Sequence, residues 1–169
     1  EEAIHQWPEN VFAQSGESTI ATLKSRRDNL EEYSLEFYES LAKKVDVLGT
    51  DKKELVLIQN LNKEQTQITV HKIDKKGDAK QIIYDRVFES SDTKEIRIYG
   101  FDGKDQFKMS GVEKNKINVR IIGGKGKDQI FDLTENKSAK NIKIYDRKSS
   151  TELITDQQDY KNRLSNRRD

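Results

Sequence analysis

Ile96-Arg97-Ile98-Tyr99, Val119-Arg120-Ile121-Ile122 and Ile142-Lys143-Ile144-Tyr145 are three short segments that repeat at a spacing of 23 residues. Each segment has Ile or Val at alternate positions, which is typical of a β-strand. A glycine follows two of the segments at the same place, as Gly100 and Gly123. Self-similarity at a period of about 20 to 50 residues is typical of stacked repeats that share one core.

The register continues into a second strand of each repeat, after the glycine-rich corner. It predicts two buried ladders: Ile98, Ile121 and Ile144 in one, and Phe107, Ile130 and Leu153 in the other. We therefore predict a short parallel β-solenoid of three coils with a 23-residue period over 93–155. The alternative is that the same strands pair antiparallel in a small β-sandwich.

The first 50 residues have the period of helices. Leu30, Tyr33, Phe37 and Leu41 recur at steps of three and four, so they form one apolar stripe, with glutamates and lysines on the other face. A helix with such a stripe needs an apolar surface to cover it. We expect a helical region over 1–50, with a break near residues 27–29.

Strand-like segments rich in Val and Ile follow over 51–92 and predict a three-stranded antiparallel meander. The predicted fold is therefore α+β, with the N-terminal helices packed on the meander and the β-solenoid following it. The repeat region over 93–155 is expected to form one cooperative unit with the segments before it. Residues 156–169 are polar and charged and are interpreted as a tail or linker.

Composition narrows the classes of function. The 31 basic and 30 acidic side chains give a net charge of +1, which argues against a nucleic-acid binder. The chain has no Cys and only two His, which excludes thiol nucleophiles and thiolate zinc sites and makes a Ser/His/Asp triad unexpected. We predict that the protein is not an enzyme and has no catalytic residues.

One corner of the repeats fits a known cation-binding pattern. Gly123-Gly124-Lys125-Gly126-Lys127-Asp128-Gln129-Ile130 fits the calcium-binding nonapeptide of repeats-in-toxin proteins. Residues 100–107 are a degraded copy, in which Phe101 replaces the second glycine. Glycines permit the tight turn of such a corner, and an aspartate supplies a hard anionic oxygen for Ca²⁺.

The candidate calcium ligands are Asp105 and Asp128, with Asp102 as a third carboxylate. Stacked repeats place Asp105 next to Asp128 at about one strand spacing, ~4.8 Å, so the two charges repel unless a cation lies between them. The alternative is a plain glycine corner whose carboxylates are neutralised by three neighbouring lysines: Lys104, Lys125 and Lys127.

A basic ladder is the second candidate for binding. Arg97, Arg120 and Lys143 stack in register and point outward from the predicted strands. One interpretation is contact with an anionic membrane surface. The alternative is that these charges pair with nearby acids such as Glu95 or Glu113.

Several stretches together resemble one extracytoplasmic region of large outer-membrane proteins of Bacteroidetes-type bacteria. They are residues 21–30, 37–42, 45–51, 93–100 and 121–124. In that family the region lies between a calcineurin-like metallophosphoesterase domain and a surface-antigen type β-barrel. The Asp-x-His and Asn-His signatures of the phosphoesterase are absent from this sequence.

The resemblance implies a non-catalytic periplasmic or surface module that links or presents partners in the envelope of a Gram-negative bacterium. Its expected partners are the outer-membrane barrel and other envelope proteins. Two alternatives stay open: an accessory domain of a metallophosphoesterase, and a calcium-stabilised adhesin-like repeat.

Overall fold

Alternating Val, Ile and polar residues place most of the chain after residue 42 in β-strands. A computed structural model describes residues 1–135, 138–155 and 161–162. The helices are α1 Glu2–His5, α2 Glu9–Asp28, α3 Leu30–Ala42 and a 3₁₀ helix at Ser138–Asn141. The strands are β1 Lys44–Leu48, β2 Glu54–Asn60, β3 Gln65–Ile73, β4 Ala79–Glu89, β5 Glu95–Tyr99, β6 Asp102–Gly103, β7 Gln106–Gly111, β8 Asn118–Ile122, β9 Lys125–Gly126, β10 Asp128–Thr134, β11 Ile142–Tyr145, β12 Thr151–Thr155 and β13 Lys161–Asn162.

The N-terminal helices form a compact unit over Glu1–Leu41. Ile4 of α1 and Ile20 of α2 are buried and line one small cavity, so apolar contact holds α1 against α2. The absent side chain of Gly16 leaves room for the ring of Phe12, one helical turn earlier. In the described part of the chain, no helix is both long and apolar enough to cross a membrane.

The apolar stripe of α3 is exposed. Tyr33 keeps 55% of its surface accessible and Phe37 keeps 66%. The prediction that this stripe packs on the meander is therefore wrong. The predicted meander offers no free apolar face, because the strands after residue 42 bury their apolar side chains in one core that two sheets share.

The β-unit, Ala42–Asp169, contains two main sheets and one small one. The five-stranded sheet has the order β1-β5-β8-β11-β13, the six-stranded sheet has the order β12-β10-β7-β2-β3-β4, and β6 pairs with β9. After β4 the chain alternates between the two main sheets, so each repeat contributes one strand to each. All pairs are parallel except β2–β3 and β3–β4.

The two predicted ladders are present, and both follow the 23-residue register. Ile98 pairs with Ile121 and Ile121 with Ile144 in the five-stranded sheet. Phe107 pairs with Ile130, which pairs with a partly buried Leu153, in the six-stranded sheet. Five of these six side chains lie in the shared core of the two sheets, and Leu153 packs against it.

The predicted meander and three-coil solenoid are wrong as an architecture. β2, β3 and β4 do not form a separate three-stranded layer, because β2 also pairs in parallel with β7 and so extends one mixed six-stranded sheet. The described strands lie in distinct mixed and parallel sheets and do not close into solenoid coils. The antiparallel pairing of the alternative sandwich is wrong too, since the repeat strands pair in parallel.

A fourth copy of the repeat precedes the three that the sequence revealed. Val47 of β1 pairs with Ile98 and Val56 of β2 pairs with Phe107, both at an offset of 51 residues. That offset exceeds the period by 28 residues (51 − 23), a length that the β3–β4 hairpin supplies. Residues 44–48, expected as helix, form β1 because its alternating valines fit a strand beside β5.

The predicted tail, 156–169, lies outside the described residues except for β13, whose backbone pairs in parallel with β11.

Two phenylalanine-to-alanine substitutions, one at a buried and one at an exposed position, test which side chains are buried. Phe107 is fully buried, so Phe107→Ala is expected to lower the free energy of unfolding by about 3–5 kcal/mol. Phe37 is exposed, so Phe37→Ala is expected to change it by no more than about 0.5 kcal/mol. Denaturant titration of both variants measures the difference; a large loss for Phe37→Ala would show that the α3 stripe is covered.

Candidate functional site

In the described part of the chain, three of the four passages from the five-stranded to the six-stranded sheet contain the same pair of residues. A glycine follows the first strand, and an acidic residue stands five positions later, where the second strand begins. The pairs are Gly49 with Glu54, Gly100 with Asp105, and Gly123 with Asp128. In the last repeat, Asp146 stands at the glycine position and Thr151 at the acidic position.

Hydrogen bonds join these acids across neighbouring strands. The backbone N–H of Glu54 donates to Oδ1 of Asp105 at 2.9 Å, and the N–H of Asp105 donates to Oδ1 of Asp128 at 2.9 Å. The N–H of Asp128 donates to the carbonyl of Ser150 at 3.0 Å. All three acids are 1% exposed, so they form a buried carboxyl stack at one end of the six-stranded sheet.

The carboxyl stack explains why the corners need glycine. A Cβ added at Gly100 would lie 2.9 Å from Oδ2 of Asp105. A Cβ added at Gly123 would lie 2.7 Å from Oδ2 of Asp128 and 2.3 Å from Oδ2 of Asp146. The carboxyl groups, together with the carbonyl oxygen of Gly123 at 2.5 Å from a Cβ on Gly100, therefore occupy the space that any other side chain would need at these two positions.

Two threonines donate hydrogen bonds at the ends of the stack, one to Glu54 and one to Asp146, which lies beside Asp128. At one end the N–H of Thr50 donates to Oε2 of Glu54 at 3.0 Å, and its hydroxyl donates to Oε1. At the other end the hydroxyl of Thr151 donates to Oδ2 of Asp146 at 2.7 Å. Among the residues that the structure describes, Oδ2 of Asp105 and Oδ2 of Asp128 have no hydrogen-bond partner.

Burial shifts the protonation of the stack. Loss of hydration is the main cause that raises the pKa of Asp105 to about 8; the neighbouring charges of Asp128 and Glu54 act in the same direction, and the backbone hydrogen bond from Glu54 opposes them. Burial likewise raises the pKa of Asp128 to about 6, with Asp146 adding to the effect. The Asp105 carboxyl therefore carries a proton at neutral pH.

The structure brings two of the three candidate calcium ligands together. Asp105 and Asp128 are neighbours in the stack. Asp102 is exposed and lies in β6, where its backbone pairs with Lys125 of β9. Within the described ranges, no group of three or more His, Cys, Asp or Glu side chains is arranged to hold a metal ion. Calcium at Asp105 and Asp128 stays a prediction.

The basic ladder contacts acids of its own sheet. Arg97 pairs with Asp46 at 2.6 Å, and Arg120 pairs with Glu95 at 2.7 Å. The pairing with Glu95 is one that the sequence suggested. Ion pairs account for two of the three charges of the ladder, and contact with an anionic membrane surface stays a prediction.

A lysine-lined cavity of about 460 Å³ lies beside the carboxyl stack, at the same end of the six-stranded sheet. The lysines that line it are Lys53, Lys75, Lys76, Lys104 and Lys127. Two of these lysines, Lys104 and Lys127, were expected beside the aspartates, whereas the cavity was not predicted. The missing signal was the 51-residue offset, which aligns Lys53 with Lys104 and Lys127.

Comparison of the chain with protein-family models, with curated proteins and with solved structures found no match. The carboxyl stack and the lysine-lined cavity are therefore interpreted from their own geometry and chemistry.

The raised pKa of Asp105 predicts a specific dependence of stability on pH. Between about pH 4 and pH 8 Asp105 keeps its proton in the folded state and loses it on unfolding, so stability falls as the pH rises, by at most about 1.4 kcal/mol per pH unit. Asp105→Asn cannot ionise, so its stability relative to wild type is expected to rise from pH 5 to about pH 8. Denaturant titrations at a series of pH values measure this difference.

Asp102→Asn is the matched control, because Asp102 is exposed. Its difference from wild type is expected to stay flat over the same pH range. Parallel pH profiles for wild type and Asp105→Asn would contradict the raised pKa of Asp105.

Calcium binding makes a separate prediction. If Asp105 and Asp128 bind Ca²⁺, with the proton of Asp105 displaced and a weak affinity of about 10⁻⁴–10⁻³ M, ~10 mM calcium is expected to stabilise the folded wild type by about 1.5–3 kcal/mol. Thermal melts with calcium and with chelator measure this shift, and Asp128→Asn is expected to remove it. A wild-type melting temperature that is equal in both conditions would show that the corners do not use calcium.

Proposed function

We propose that this chain is a non-catalytic module of an outer-membrane protein, at the periplasmic side or the cell surface, that links and presents partners. The observation that carries the proposal is the exposed apolar stripe of α3. The resemblance to the region between a phosphoesterase domain and a surface-antigen type barrel supports the same interpretation.

The stripe has the form of a helical recognition element. Leu30, Tyr33, Phe37 and Leu41 share one side of α3 and are 55–66% exposed. Contiguous exposed apolar side chains of this size are typical of interaction sites. Anchors spaced by three and four residues fit an apolar groove, as in other helix-in-groove complexes.

The charge of α3 favours a particular occupant. The helix contains four glutamates and no lysine or arginine: Glu31, Glu32, Glu36 and Glu39. An anionic lipid surface would repel these carboxylates, and so would a second α3. A protein groove with an apolar floor and basic edges complements both the stripe and the glutamates. The barrel or another envelope protein with such a groove is the partner we propose.

Site-specific photo-crosslinking in the protein's own cells tests this proposal. A benzophenone side chain at position 37 lies within the stripe, and the same group at position 39 lies about 200° around the helix and serves as the control. We expect position 37 to link to one envelope protein and position 39 not to do so. Glu36→Lys is expected to weaken that link, because it opposes the basic edge of the groove.

Three outcomes would contradict the proposal: equal crosslinking at both positions, links at position 37 only to a second copy of the chain or to lipid, and a link that Glu36→Lys leaves unchanged.

A further inference from the structure

We propose that the lysine-lined cavity binds a small ligand that carries phosphate monoester groups. This inference goes beyond the partner function of α3, since it depends on the β-unit alone and uses different residues. It starts from the alignment of three lysines by the parallel register of the six-stranded sheet.

Lys53, Lys104 and Lys127 each stand immediately before a member of the carboxyl stack. The register of β2, β7 and β10 therefore places them just before the starts of three adjacent strands, about 4.8 Å apart. Like charges at this spacing repel one another. An anion held between them would remove that repulsion.

The turn between β3 and β4 adds two more lysines and is fixed in place. Asp74 accepts the N–H of Lys76 at 2.8 Å and the N–H of Asp78 at 3.1 Å. Gly77, at a φ of +91°, approaches the floor of the cavity: a Cβ on it would lie 3.6 Å from Nε2 of Gln106. Lys75 and Lys76 therefore project from an ordered turn.

Among the described residues, the acids that line the cavity form no ion pair with these lysines. Asp74 pairs with Lys80, at 3.1 Å, and Glu152 accepts a hydrogen bond from the side chain of Gln129. Asp128 is buried within the carboxyl stack. In the described part of the chain, none of the five cavity lysines takes part in an ion pair. Their positive charge is available to a ligand.

The chemistry of the lining indicates the class of ligand. Lysine ammonium groups act as flexible point charges that suit phosphate oxygens. Gln106 and Gln129 provide amide groups on the floor for hydroxyl or ether oxygens. A volume of about 460 Å³ lies in the range of small-molecule sites. A phosphate monoester fits this description, either on a free sugar or as the headgroup of a lipid.

Titration calorimetry of the whole chain with fructose 1,6-bisphosphate, at low salt, tests the proposal. We expect one site, and a loss of affinity of roughly tenfold or more in the double variant Lys104→Gln/Lys127→Gln. The double variant Lys114→Gln/Lys140→Gln is the control, because it removes two exposed lysines from a different cavity of the same β-unit. Its affinity is expected to match that of wild type.

Sedimentation with vesicles identifies the source of the phosphate group. Binding to phosphatidylcholine vesicles that contain phosphatidic acid, lost in Lys104→Gln/Lys127→Gln but not in the control variant, would support a lipid-borne ligand even if the soluble bisphosphate does not bind. Binding of the soluble bisphosphate with the same dependence would support a free ligand.

Three results would overturn the proposal: no binding of either probe, equal losses in both double variants, and equal binding to vesicles that contain phosphatidylglycerol, which has no phosphate monoester. None of them depends on α3, so failure here is distinct from failure of the proposed partner function.

Discussion

A carboxyl oxygen that accepts the backbone N–H of the neighbouring strand is the interaction on which the β-unit depends. Oδ1 of Asp105 accepts a hydrogen bond from the N–H of Glu54, and Oδ1 of Asp128 accepts one from the N–H of Asp105. Each bond joins two copies of the repeat at the point where the chain enters the six-stranded sheet, so it fixes their relative register. The register then aligns the apolar ladders of both sheets in one core.

Burying this link has an electrostatic consequence. Acidic groups at one strand spacing cannot all ionise in a site that excludes water, so burial raises the pKa of Asp105 and of Asp128. A protonated carboxyl keeps its acceptor oxygen for the backbone N–H without adding a charge to the interior. The register that aligns the acids also aligns the exposed lysines before them, which places the cavity of Lys53, Lys104 and Lys127 beside the stack.

Periodicity in the sequence predicted the ladders of Ile98 and Phe107 and the proximity of Asp105 to Asp128. It failed where an insertion hid the period: the β3–β4 hairpin separates the first copy from the second, so β1 was read as helix and β2 as part of a meander. The cavity was missed for the same reason, since its lysines lie far apart in the chain and only the offset of 51 residues brings Lys53 to the others. Amphipathic spacing in α3 predicted an apolar stripe but carries no information about what covers it.

The last repeat shows how the stack ends. Where the earlier copies have lysine followed by an acid, this copy has Ser150 followed by Thr151, and an acid, Asp146, replaces the glycine of the corner. The hydroxyl of Thr151 donates to Asp146, so a neutral donor meets the final carboxylate where another acid would add repulsion. Ser150, in place of a lysine, ends the row of lysines at Lys127. These three replacements therefore limit both the buried acidic stack and the exposed basic row, and they confine the positive charge of that row to a cavity the size of a small ligand.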